Sequence, residues 1–166
     1  MGDIKSALDG AVAYLSEHPD EASYTDSEAT ATIEQGLRVR VDGPGGLSVT
    51  TDMPESVGGG NTGPSPGWLF RAALAACEAT LVAMQAARDG IALQGLTVTV
   101  DSKSDDRGIL GMDPNVPAGP SSVRVRMNAR ADGDIDQLVR TAIGRCPVHD
   151  AVARQVDIDV EMAAVG

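Results

Sequence analysis

Aromatic side chains are nearly missing, with one Trp, two Tyr and one Phe in 166 residues. A core made without rings has to be made from aliphatic and small side chains, and a pocket that needs a ring has few places to get one. Cations are scarce too: 13 Lys and Arg stand against 24 Asp and Glu, a formal net charge of -11. That balance opposes phosphate backbones and anionic headgroups, so neither nucleic acid nor a membrane is expected as a partner. Two cysteines are too few for a disulfide framework. In a reducing compartment such thiols are redox-active, metal-binding or simply buried. The two histidines, His18 and His149, form no close ligand pair with them, so no metal is expected. No apolar run is free enough of charge to cross a bilayer, and the start MGDIKSALDG lacks the basic, apolar and cleavage regions of a secretory signal. A cytoplasmic protein is expected.

What the chain does carry is a long apolar stretch from Pro64 to Gly90, PSPGWLFRAALAACEATLVAMQAARDG. Ser65 suits an N-cap that accepts from an orphan backbone N–H, and Pro66 suits the first helical position, where a missing N–H costs nothing. Arg88 favours the C-terminal end, and Gly90 supplies the left-handed residue that closes it. The spacing predicts a helix between those caps, about 36 Å long at 1.5 Å per residue. Only Arg71, Glu78 and Gln85 are strongly polar within it, so small or apolar side chains cover almost the whole circumference. Such a helix has to be surrounded. A single chain of this length struggles to do so, which leads to the expectation of a homodimer with Cys77 at the centre of the shared helix.

Ahead of that stretch, Ile4, Leu8, Ala11, Val12 and Leu15 recur at helical spacing and Pro19 ends the pattern. Residues 1–22 are expected as a helical appendage and 23–166 as the main domain. Tyr24 to Thr32 alternates weakly, and Leu37, Val39 and Val41 alternate with Arg38, Arg40 and Asp42. After a Gly-Pro-Gly-Gly turn, Leu47 to Thr51 completes an antiparallel meander. Met53 to Pro66 is a Gly- and Pro-rich connector. Beyond Gly90, strands are expected over Leu93 to Val100 and Val123 to Ala131, joined by a long loop, Asp101 to Ser122, of the kind that is either functional or a surface excursion. Asp134 opens a one-sided helix through Ile143, and Cys146 caps a short helix that begins at Pro147. Val156, Ile158 and Val160 alternate with acids and predict a last strand. There is no repeat and no βαβ pattern, so the class is α+β with mainly antiparallel sheet.

The chemistry rests on few residues. Cys77, mid-helix and beside Glu78, reads on its own as a small buried hydrophobe, since desolvation and a neighbouring negative charge both disfavour thiolate. Cys146 differs, because free N–H groups at a helix start, and His149 one turn on, favour its thiolate; a cap without reactivity is the competing reading. Trp68 and Phe70 fall one to two turns before Cys77. They either line an apolar pocket beside the thiol or pack an interface.

The lead-in DMPESVGGGNTGPSP followed by LFRAALAAC, the motif CPVHDAV, and the order of elements from Tyr24 to Glu161 together resemble the OsmC-like proteins, which include the organic hydroperoxide resistance proteins. The resemblance implies an OsmC-like α+β fold, with antiparallel sheets wrapped around a long central helix, in an intertwined homodimer with its sites at the subunit interface. It implies peroxide attack by Cys77 as thiolate, resolution of the sulfenic acid by Cys146 as a disulfide, and regeneration by a dithiol reductant, with no cofactor. It also implies an organic hydroperoxide as substrate, or, in a non-enzymatic relative, an apolar small molecule held in the same pocket.

Two departures from the family pattern stand out. The peroxidases carry an Arg on the N-terminal meander and a Glu just after the helix-opening proline, and the simplest alignment places Gln35 and Gly67 there. Arg38, three residues further on, is the candidate to replace the missing cation, against the alternative of a solvated strand face. Arg71 projects from another side of the helix.

Overall fold

A computed structural model describes residues 3–162. Helix α1 (Ile4–Glu17) is capped by Asp3, and its amphipathic stripe is covered only lightly by the body: Leu8 is half-buried while Ile4 and Val12 stay exposed. A three-stranded antiparallel sheet follows, β1 (Thr30–Gln35), β2 (Arg38–Asp42) and β3 (Ser48–Thr51), in the order β1-β2-β3. The expected meander is present, but its first strand starts at Thr30 rather than Tyr24, because only from there does β2 offer partners, Thr30 opposite Asp42. Every residue of β1 is exposed.

The connector to the central helix is wound around one carboxylate. Asp52, 3% exposed, accepts from the backbone N–H groups of Met53, Gly60 and Thr62 and from the Thr62 hydroxyl. The winding is so tight that a Cβ at Gly59 would lie 1.9 Å from the Met53 carbonyl oxygen, which explains glycine there.

Helix α2 (Pro66–Asp89) then runs between its predicted caps: the Ser65 hydroxyl accepts from the Trp68 N–H, and Gly90 closes the end at φ 68°. Its two faces are unlike what composition implies. The buried face carries Glu78 and Gln85 together with Leu74, Val82 and Ala86, whereas Ala73, Ala76 and Thr80 look outward. Contrary to the sequence expectation, α2 is long and apolar enough by length and composition to cross a membrane. Here it serves as the core helix, packed against the strand Leu93–Lys103 and the helices Ile135–Ile143 and Pro147–Ala153.

Strands β4 (Leu93–Lys103) and β5 (Ser122–Ala131) form a two-stranded antiparallel sheet beside α2. Val123, Val125, Met127 and Ala129 alternate as half-buried positions with exposed Arg124, Arg126, Asn128 and Arg130. The long connection between the strands is shorter than expected, because β4 extends to Lys103, and it contains a short helix, α3 (Asp106–Ile109). It folds back on itself, with Ser121 N–H donating to the Lys103 carbonyl and Gly108 pressed against Pro117.

Helix α4 (Ile135–Ile143) is capped by Asp134 and lays Leu138 and Ala142 against Val82 and Ala86 of α2. Leu93, Leu96 and Met127 close this small core from the β4–β5 side. Helix α5 (Pro147–Ala153) follows directly with Cys146 as its N-cap. The strand expected over Val156 to Val160 does not form: residues 154–162 are exposed and outside any regular element, with Ile158 85% and Val160 75% exposed. A period-two segment is a strand only when a neighbour takes up its hydrogen bonds, and among the described residues no strand pairs with it.

Candidate functional site

The centre of the molecule brings together two sulfurs. Cys77 sits half-buried midway along α2, Cys146 is 1% exposed at the start of α5, and their Sγ atoms are 3.0 Å apart with the Cys146 thiol donating. Both are free thiols. The α4–α5 joint fixes this approach. Arg145 at the joint donates to the Gln85 side chain of α2 at 2.8 Å, and Gln85 in turn donates to Asp89. That contact pins the joint against α2, about two turns from Cys77, and the next residue along the chain is Cys146.

Opposed influences act on the Cys146 thiol. The N–H of His149 donates to its sulfur at 3.4 Å, as an N-cap should receive, and pulls the thiol pKa down. Burial, and after it the adjoining Cys77 sulfur, act in the other direction and win, so the thiol is raised. Cys146 therefore rests as a protonated thiol, consistent with its donating to Cys77.

A second pair lies beside the first. The Glu78 side chain is fully buried, its Oε1 lies 2.8 Å from Nδ1 of His149, and its Oε2 has no hydrogen-bond partner among the described residues. The His149 side chain is 40% exposed, so the imidazole joins this buried carboxylate to a water-facing group. From sequence, Glu78 counted only as a like charge beside Cys77, and His149 only as a donor toward Cys146. The spacing that links them was visible all the same: Cys77 and Glu78 are consecutive on one helix, and Cys146 and His149 are one turn apart on another.

Arg38 is not joined to this centre in the single chain. Its guanidinium donates to Glu34 at 3.0 Å and to the Thr62 hydroxyl at 2.8 Å, lining a cavity of about 550 Å³ with Gln35, Asp52 and Gly60. Trp68 and Phe70 do not share a pocket either. Phe70 lines a mainly apolar cavity of about 420 Å³ with Met53, Ile109, Pro120 and Arg71, whereas Trp68, 50% exposed, borders a separate one of about 340 Å³. Helical geometry explains the split, since residues two apart point to different sides. Gly67 faces Arg71, and a Cβ there would be 3.8 Å from its guanidinium, an ordinary contact.

The family model described as OsmC-like protein matches residues 58–161. No match to a curated protein sequence reaches significance. Among solved structures, the fold is similar to that of an organic hydroperoxide resistance protein OsmC from Legionella pneumophila, with TM-score 0.63 and 22% identity, covering 81% of this chain and 94% of that one. An OsmC-like protein from Mycoplasma pneumoniae gives TM-score 0.67 at 17% identity, covering 79% and 89%. The organic hydroperoxide resistance protein OhrB of Bacillus subtilis gives TM-score 0.53 at 23% identity, covering 81% and 96%.

Proposed function

The chain belongs to the OsmC-like family, and from that premise we propose that it is a thiol-dependent peroxidase of organic hydroperoxides working through Cys77 and Cys146. The observation that carries the reading is the 3.0 Å separation of the two sulfurs. Cys77, the less buried of the two, is the peroxide-reacting thiol. Its thiolate attacks the terminal peroxide oxygen, the O–O bond breaks, and the alkoxide takes up a proton and leaves as the alcohol. The resulting sulfenic acid is met at once by Cys146, whose sulfur displaces the hydroxyl as water and closes a disulfide before further oxidation. A dithiol reductant then restores both thiols in two exchange steps. The cycle needs no cofactor, and we place it in the cytoplasm, where such reductants keep thiols reduced.

The proposal includes a homodimer. Ile33 and Leu47, each 71% exposed, the outward face of α2 and the unpaired segment with Ile158 and Val160 together leave more apolar surface than a lone chain conceals. A second copy would cover them, and in that assembly Arg38, carried on a sheet with little contact to its own α2, is the cation offered to the thiol pair. Sedimentation of the reduced protein at micromolar concentration is expected to give twice the chain mass.

The deciding experiment treats reduced protein with cumene hydroperoxide and maps the cysteines by mass spectrometry. An intramolecular Cys77–Cys146 disulfide formed by one equivalent is expected. Free thiols surviving many equivalents would instead favour a second reading, a non-enzymatic protein that holds an apolar small molecule, for which the cavity beside Phe70 is the supporting observation. Such a ligand would raise the melting temperature of a Cys77→Ser protein.

A further inference from the structure

We propose that Glu78 and His149 form a proton-handling pair for the thiol couple, in which the imidazole, held by the buried carboxylate, takes the Cys146 proton as the disulfide forms. The proposal rests on the two-cysteine reading above and adds the group that makes its second step possible.

Cys146 is buried, uncharged and hydrogen-bonded to Cys77. To become a nucleophile it has to lose its proton. Asp150 on the same helix is engaged by Arg154, and Arg145 at the joint by Gln85. His149, whose ring meets Glu78, is the ionisable residue of α5 whose backbone N–H reaches the Cys146 sulfur. A carboxylate with a fully buried side chain and one oxygen unpartnered is an expensive thing to keep in a core, and an apolar side chain would pack there without the penalty. What it does here is orient an imidazole whose backbone N–H touches the Cys146 sulfur.

The proposal takes the tautomer in which Nδ1–H donates to Glu78, which leaves the acceptor lone pair on Nε2 of a part-exposed side chain. In the resolving step the Cys146 S–H bond breaks and its proton passes to the imidazole, directly or over one water. The Cys146 sulfur bonds to the Cys77 sulfur, the S–O bond of the sulfenic acid breaks, and the leaving hydroxide takes the proton back from the imidazolium as water. The sulfenic sulfur is reduced and the thiol sulfur oxidised, with no net change in protons on the pair. Reduction of the disulfide runs the imidazole in the opposite sense, as the acid that reprotonates Cys146.

The test avoids peroxide, so that failure of the peroxidase reading and failure of this one are separable. Diamide adds to one thiol across its N=N bond, the second thiol displaces the hydrazide, and the departing nitrogen takes the proton; at saturating diamide the closure step is first-order. Acid-quenched mass spectrometry of the closure step is expected to show His149→Ala slowed about 100-fold at about pH 7, the size typical of a lost acid–base group. The defect should fade as pH rises toward about 10, where hydroxide deprotonates the thiol directly, and added imidazole should restore the rate at neutral pH. Glu78→Gln, which keeps an oxygen acceptor for Nδ1–H, serves if the His149 variant fails to fold; it should show the same pH-dependent defect to a smaller extent. A defect equal at every pH, no rescue by imidazole, or closure as fast as in the unaltered protein would each overturn the proposal. Normal diamide kinetics in a protein inert to cumene hydroperoxide would overturn only the peroxidase reading.

Discussion

The sulfur of Cys146 meets that of Cys77 at 3.0 Å although the residues are 69 positions apart in the chain. No local turn produces this contact. It is held by the seating of α4 on α2 and by the Arg145–Gln85 hydrogen bond at the joint, so the approach of the two sulfurs is coupled to tertiary structure.

That coupling gives the first prediction. A disulfide across so long a loop removes chain entropy from the unfolded state, of order 4 kcal/mol in the loop-closure model. The oxidised protein should therefore denature at higher guanidinium concentration than the reduced one, and Cys146→Ser should abolish the difference. Equal midpoints for both redox forms would show that the bond does not form within one chain.

The Asp52 cradle gives a pH prediction. The Thr62 hydroxyl, followed by the N–H groups of Thr62, Met53 and Gly60, holds its carboxyl down at about 2, against an ordinary value of 3.8. A carboxylate lowered in the folded state stabilises fully above its unfolded value, and that contribution fades as pH falls through the folded one. The connector over 58–62 should therefore loosen between about pH 4 and pH 2, seen as a rise in limited proteolysis by pepsin in that segment. In Asp52→Asn an amide nitrogen would face those donors, and the connector should be loose already at neutral pH.

Phe70 should govern substrate size. It lines the apolar cavity of about 420 Å³ beside the α2 N-terminal turns. Phe70→Ala is expected to raise KM for cumene hydroperoxide several-fold while leaving that for hydrogen peroxide nearly unchanged. Equal changes for both substrates would assign Phe70 to packing alone.

Leu138 should show how much the site depends on the core. It is 2% exposed and packs with Val82, Ala86 and Ala142. Leu138→Ala should cost about 3 kcal/mol, the usual price of such a cavity. It should also slow disulfide closure, because α4 carries the joint on which Cys146 depends. Chemical denaturation and diamide kinetics on the one variant measure both effects.

Much of this architecture was readable from residues. Both caps of α2, the Asp134 cap of α4 and the Cys146-Pro147 start of α5 were plain because side chains that satisfy helix ends are few and local. The alternation in β5 was equally plain. The segment from Val156 to Val160 misled because alternation records a preference for a neighbour without saying whether one chain provides it. Glu78 was misjudged for a related reason: sequence shows a charge beside Cys77, while its significance comes from His149 on a different helix, 71 positions away. Within one chain the Arg38 guanidinium meets Glu34 on its own hairpin, a contact across a turn that strand periodicity does not resolve.

The unpartnered oxygen of Glu78 weighs against stability. A molecule that keeps a half-satisfied acid at the middle of its main helix is less robust than its sequence allows. Selection for toughness alone would have replaced that acid by methionine or leucine. A laboratory search for heat-resistant variants should find Glu78 among its early changes, and those survivors should be sturdier proteins with sluggish thiols.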